Sequence, residues 1–160
     1  MVTGLLQTES YARQVLRAGQ RDSALDEMVS SRMSRQTVFQ KTDPPWLVLV
    51  IREAAIREVI GSPEVTKKQL QHILDMTLLP NINIHLVPTG AQVYPSGGFT
   101  IFSFDGGPDV GYVESVNGLG HVVDLSSQVE GLKVWFDLVR SVAMPVDASE
   151  QLIHDIMEGM

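Results

Sequence analysis

Apolar residues recur every three or four positions near both ends of this chain, and at every second position or continuously through its middle. In TESYARQVLRAG, Ala12, Val15 and Leu16 share a face behind Thr8 as N-cap and Glu9 in the first turn, which predicts a helix with Gly19 as its stop. A second helical pattern runs from about Ser23 to Lys41, capped by Asp22 or Ser23. Leu25, Met28 and Val29 start its apolar face, and Arg32, Arg35 and Gln36 interrupt it, so this helix is expected at the surface or against a partner. DPP at 43–45 ends it.

WLVLVIRE at 46–53 is apolar on both faces, the pattern of a central strand covered from both sides. EAAIREVIG predicts a short helix stopped by Gly61. Ser62 and Pro63 then start another, whose buried stripe is Leu70, Ile73, Leu74 and Leu78. In NINIHLVP, Ile82, Ile84 and Leu86 alternate with polar residues, as in a strand with one wet face.

After the irregular stretch PTGAQVYPSGG come three short strands, FTIFSF, DVGYVES and GHVVD, separated by DGGP and NGLG. These turns suit tight hairpins and predict an antiparallel meander. Two helices close the chain. The first carries Val129, Leu132, Phe136, Val139 and Ala143, with Trp135, Leu138 and Val142 beside them, a broad face for covering a sheet. The second has Asp147 and Glu150 at capping-box spacing and buries Leu152, Ile153, Ile156 and Met157. The order α, α, β, α, α, β, β, β, β, α, α predicts an α+β fold. Its sheet is expected to be mainly antiparallel and five-stranded, with helices before and after it and one βαβ-like crossover from 46–53 to 81–87.

Length and composition narrow the picture. The chain's 160 residues suit a single regulatory or interaction domain, and 44% hydrophobic residues are enough for a core without staples. No cysteine is present, which excludes disulfides, thiolate metal sites and cysteine nucleophiles. Apolar runs such as LVLVI fall far short of the about 18 residues a membrane span needs, and no signal peptide is visible, so a cytoplasmic protein without membrane contact is expected.

Charge is unevenly spread. Residues 1–41 balance to +2 and residues 42–160 to −9. Lys and Arg supply most sequence-independent affinity for DNA, so this acidic body is a poor nucleic-acid platform by itself. Arg13, Arg17 and Arg21 are spaced four apart, a pattern that most often marks a solvated face.

Catalytic and metal chemistry find little support. His72, His85, His121 and His154 lie on four different elements without ligand spacing. No phosphate-binding glycine loop and no GxSxG motif occurs, and Ser96 has no base near it in sequence. Glu53, where a strand meets a helix, suits a structural carboxylate paired with Arg52 or Arg57; Glu114 is a second acid of the same kind. No catalytic residue, metal or cofactor is assigned.

GLLQTESYARQVL resembles the opening motif of an actinobacterial family of antitoxin-like transcriptional regulators, in which an Xre-type helix-turn-helix precedes an uncharacterised C-terminal domain. The likeness continues through SRMSRQ at 31–36, LVLVIREAAIREVIG at 47–61, QLQHILDM at 69–76, PNINIHLVP at 80–88, GGFTIFSF at 97–104 and GYVES at 111–115. Thr3 departs from the proline usual before GLLQT. The resemblance implies the C-terminal regulatory domain of a WhiJ-like regulator. DNA would be contacted only through an N-terminal helix-turn-helix absent from this chain, and this domain would dimerise or bind a small BldB-like or toxin-like partner protein. The family offers no catalytic residues to carry over.

Three functions follow as expectations. A homodimer or partner surface is placed on the weakly amphipathic helix at Met28, Arg32, Arg35 and Phe39. A small-molecule sensor would use a pocket between sheet and terminal helices, gated by Gly90 to Gly98 and lined by Tyr94, Phe99 and Trp135 with Glu53 and Glu114. An enzyme would need Glu53 and Glu114 as a carboxylate pair.

Overall fold

The computed structural model describes residues 2–18, 21–93, 97–115 and 120–160. In chain order it contains a 3-10 turn at Gly4–Leu6, α1 (Glu9–Leu16), α2 (Asp22–Ser34), a 3-10 turn at Arg35–Gln40, β1 (Leu47–Arg52), α3 (Glu53–Arg57), α4 (Pro63–Thr77), β2 (Ile82–Val87), β3 (Phe99–Phe102), β4 (Val110–Val113), β5 (His121–Val123), α5 (Ser126–Ser141) and α6 (Val146–Glu158). The chain divides into two compact units. Unit 1 holds the residues up to Thr89 together with Met144–Met160, and unit 2 holds Gly90–Ala143.

Local chemistry sets the helix starts in unit 1. The Thr8 hydroxyl accepts from the Tyr11 N–H ahead of α1, and the Ser62 hydroxyl accepts from the Val65 N–H ahead of α4, with Pro63 in the first turn. Gly61, between α3 and α4, has φ +75°, and a Cβ there would meet Gln14 at 2.6 Å, so only glycine fits. α2 tightens into a 3-10 turn after Ser34 and ends before Pro44 and Pro45. Gly19, expected to stop the first helix, lies outside the described residues; α1 ends at Leu16.

β1 and β2 pair in parallel, Leu47 opposite Ile82 through Arg52 opposite Val87, with α3 and α4 making the expected crossover. Leu47, Leu49 and Ile51 share a face with Ile82, Ile84 and Leu86, which joins Leu6, Tyr11, Ile56, Leu70, Ile73 and Ile153 in one core.

Unit 2 is the expected meander with one helix. Phe99 pairs with Val113 and Phe102 with Val110, while Gly111 pairs with Val123 and Val113 with His121, both ladders antiparallel. Gly106, at φ +79°, makes the DGGP turn. Gly111 sits under Leu132 so closely that a Cβ would collide with the leucine methyl, and this contact seats α5 on the sheet. Lys133 bridges Asp109 at 2.9 Å and Glu130 at 2.8 Å; these two carboxylates hold its ammonium pKa above the ordinary lysine value.

Four expectations need correction. The five strands do not form one mainly antiparallel sheet: β1 and β2 are a parallel pair, and β3, β4 and β5 a separate antiparallel sheet. The cause lies at the outer edge of β2, where the Leu86 N–H donates to Ser149 Oγ at 2.9 Å and the Leu86 carbonyl accepts from the Met144 N–H at 2.8 Å. The Leu86 end of the β2 edge is therefore occupied by the start of α6 and by Met144 ahead of it.

β1 is no central strand either, since it pairs on one side only. Trp46 and Leu78, expected inside, are 74% and 83% exposed. Finally, Asp147 does not cap α6. The helix begins at Val146, with Pro145 at the N-cap and no side-chain cap bond, and it is Ser149 that is buried, donating to the Pro145 carbonyl at 2.8 Å.

Candidate interaction site

The opening motif is held by side-chain amides. Gln7 is fully buried; its Nε2 donates to the Val2 carbonyl at 2.7 Å and its Oε1 accepts from Arg32 at 2.7 Å. Gln36 Nε2 donates to the Gln7 carbonyl at 2.7 Å and to the Gly4 carbonyl at 3.2 Å. Gln69, also fully buried, donates to the Leu6 carbonyl at 2.6 Å and accepts from the Thr8 N–H at 2.8 Å. An irregular segment buried this deeply must satisfy its main-chain groups, and three glutamines reaching in from the motif itself, the 3-10 turn at 35–40 and α4 do so. Tyr11, 1% exposed beneath this segment, has its hydroxyl pKa raised chiefly by burial.

That arrangement decides what the expected partner surface contains. Arg32 belongs to the amide network through Gln7, and Phe39 packs against the unit 1 core. Met28 and Arg35 are exposed. The four residues thus divide into two that brace the opening segment or core and two that face solvent.

The expected pocket residues divide between the units. Glu53 is in unit 1, while Phe99, Glu114 and Trp135 are in unit 2; Tyr94 and Ser96 lie outside the described residues. Within unit 2, the Glu114 N–H donates to the Gly98 carbonyl at 2.8 Å, which extends the β3–β4 ladder past Phe99. Trp135 lies on α5, about half exposed.

Glu53 has both oxygens engaged: Oε1 accepts from Arg57 Nε at 2.6 Å and Oε2 from the Thr89 N–H at 2.8 Å. The Thr89 N–H, and then Arg57, lower its pKa below the usual carboxylate value. With its side chain only 12% exposed, it clamps the end of β2 to the start of α3. Among the described residues no group of three or more His, Asp or Glu is placed to hold a metal. Lys67, Lys68, Gln71, Met157 and Glu158 line an open surface depression that includes none of the expected pocket residues.

Unit 2 carries exposed apolar residues on both of its outer sides. Strand alternation places Ile101, Gly111 and Val123 on the face under α5 and Phe102 and Val122 on the other, where Phe104 continues the series. On α5, Val129 and Val139 are buried, whereas Val134, Trp135 and Leu138 share an exposed side. These six outward residues are 45% to 63% exposed. At about 200 Å² for an aromatic side chain and somewhat less for Val or Leu, each side offers about 300 Å² of apolar surface, the size at which a patch is often functional. The unit is acidic, with six acidic against two basic residues in Gly90–Ala143.

Phe102, Phe104, Val122 and Val134 were not singled out from the sequence. The available signal is that FTIFSF and α5 carry apolar residues on all sides, a pattern belonging to elements covered on all sides.

The sequence model of one protein family, described as a domain of unknown function (DUF5753), matches residues 1–155. The chain belongs to the DUF5753 family. The match spans both units and takes in the glutamine-braced opening and the outward faces of unit 2. No curated protein and no solved structure matches this DUF5753 chain. None of the described helices is long and apolar enough to cross a membrane.

Proposed function

We propose that this DUF5753 chain is the regulatory part of a DNA-binding transcriptional regulator and works through protein contacts, by dimerisation or by binding a small partner protein. The observation that carries the interaction half is the apolar exterior of unit 2, with Phe102, Phe104 and Val122 on the sheet and Val134, Trp135 and Leu138 on α5. The regulatory half rests on the resemblance of GLLQTESYARQVL and the motifs after it to antitoxin-like regulators. The acidic body supports DNA contact through a helix-turn-helix outside these residues, because phosphate neutralisation needs Lys and Arg, which Asp and Glu outnumber in residues 42–160.

Two measurements test this reading. The 160-residue chain, titrated with duplex DNA at low salt, is expected to show no binding; tight, salt-dependent binding would sink the division of labour. Replacing Trp135 and Phe102 with Ser is expected to abolish binding of a small protein encoded beside the chain, with far-UV circular dichroism unchanged. If wild type and variant bind it equally, or neither binds it, the docking role of unit 2 is wrong.

A further inference from the structure

The parallel pair in unit 1 has two outer edges, and the protein treats them differently. Leu47 N–H donates to the Asn81 carbonyl, so in this register Leu47, Leu49 and Ile51 direct their main-chain groups to β2, while Val48, Val50 and Arg52 direct theirs away. On β2, Ile82, Ile84 and Leu86 are the outward residues by the same rule. That edge is covered: Ile82 N–H goes to the Leu79 carbonyl, both main-chain groups of Leu86 are taken by Ser149 and Met144, and Ile84 between them is 0% exposed. On β1, Val48 and Val50 have no main-chain partner among the described residues.

An open edge of this kind is ordinarily blunted by lysine, proline, a bulge or an inward charge. Leu47–Ile51 contains none of these; it is five consecutive Leu, Val and Ile residues. Trp46 continues it at one end, 74% exposed. Arg52 ends it on the other side, exposed.

We infer that β1 pairs antiparallel with β1 of a second copy, joining the two parallel pairs into a four-stranded sheet, β2–β1–β1–β2, across a two-fold axis. A register centred on Leu49 sets Val48 against Val50 of the other copy, so that all four exchange main-chain bonds, and sets Trp46 against Arg52 of the other copy at both ends. The strand is complementary to itself: its middle is uncharged, no like charges are opposed, and the guanidinium lies over an indole that is otherwise exposed. Trp46 adds apolar area beside the ladder. This inference gives the dimerisation half of the proposed function a place, in unit 1 and apart from the outward faces of unit 2.

Light scattering of the wild-type chain across a concentration series is expected to show twice the 17.6 kDa chain mass at the upper end. Val50→Pro removes an N–H that points away from β2, so it should return the mass to one chain with circular dichroism unchanged. Val50→Lys, which keeps the main chain intact and adds an edge charge, should weaken the dimer at least about tenfold. Hydrogen exchange on the wild type supplies a readout without mutation: the Val48 and Val50 amides should be protected in concentrated samples and exchange freely in dilute ones. A dimer that survives Val50→Lys with those amides unprotected overturns the β1 edge and leaves dimerisation elsewhere intact. A wild type that stays at single-chain mass throughout overturns the edge and the dimerisation half together, while binding of a partner by unit 2 stands or falls on its own test.

Discussion

In unit 1 a parallel strand pair is packed by α1, α4 and α6 around one continuous core, with buried glutamines completing the main chain at its rim. In unit 2 an antiparallel sheet carries a single helix, and Val123, Val129 and Val139 are its only large apolar residues that are buried among those described. Both units have many apolar residues; they differ in where those residues face. Unit 1 buries a large set of them, with Trp46, Val59 and Leu78 left outside and one strand edge without a partner among the described residues, whereas unit 2 keeps a thin interior and exposes Phe102, Phe104, Val122, Val134, Trp135 and Leu138. A small two-layer unit buries too little surface to be stable by a wide margin, and its outward residues are what a partner would cover.

Substitutions inside the two interiors should separate the units most sharply. Ile84→Ala, in the fully buried centre of unit 1, is expected to cost about 2–5 kcal/mol, measured by urea unfolding. Equal destabilisation by Val129→Ala would erase the distinction. Next in size, Gly111→Ala forces Leu132 away from the sheet and should cost about 1–3 kcal/mol. Hydrogen exchange should then accelerate in β3, β4 and β5 and stay unchanged in α4 and β2; acceleration in both would show that the units unfold as one.

The smallest effect concerns the clamp between Glu53 and the Thr89 N–H. Glu53→Gln is expected to lose about 1 kcal/mol at neutral pH, since the amide offers one neutral acceptor oxygen to two donors, Arg57 Nε and the Thr89 N–H, that both meet a charged carboxylate in the wild type. The folded pKa lies below the unfolded value of about 4.3, so the stabilisation is complete above that value and disappears as pH falls through the folded pKa. Wild type and variant melting curves should therefore converge in strong acid; a constant gap down to the lowest pH would mean the loss is one of packing.

Much of the local structure was legible. Thr8, Ser62 and Pro63 mark their helix starts because a cap acts within three residues, and the alternation of Ile82, Ile84 and Leu86 gives a face because strand period is a local property. The meander and the crossover followed from turn residues and spacing. Gln7, Gln36 and Gln69 were opaque, because a glutamine names no partner and the main-chain groups they satisfy lie up to 63 residues away. Among the expected site residues, Glu53 was legible as a structural carboxylate paired with Arg52 or Arg57, of which the structure selects Arg57, but its second partner, the Thr89 N–H, was 36 residues distant.

What the sequence determined by itself is the set of elements, their order, the acidic balance of residues 42–160 and the family to which the chain belongs. Tertiary structure decided which edges and faces remain open. Ser149 and Met144 take the Leu86 end of the β2 edge, the five strands fall into two sheets, and among the described residues Val48 and Val50 of β1 have no main-chain partner and Trp46 is exposed. Periodicity encodes which side of an element is apolar, a property of neighbouring residues. Whether that side is covered depends on groups brought to it from elsewhere in the chain.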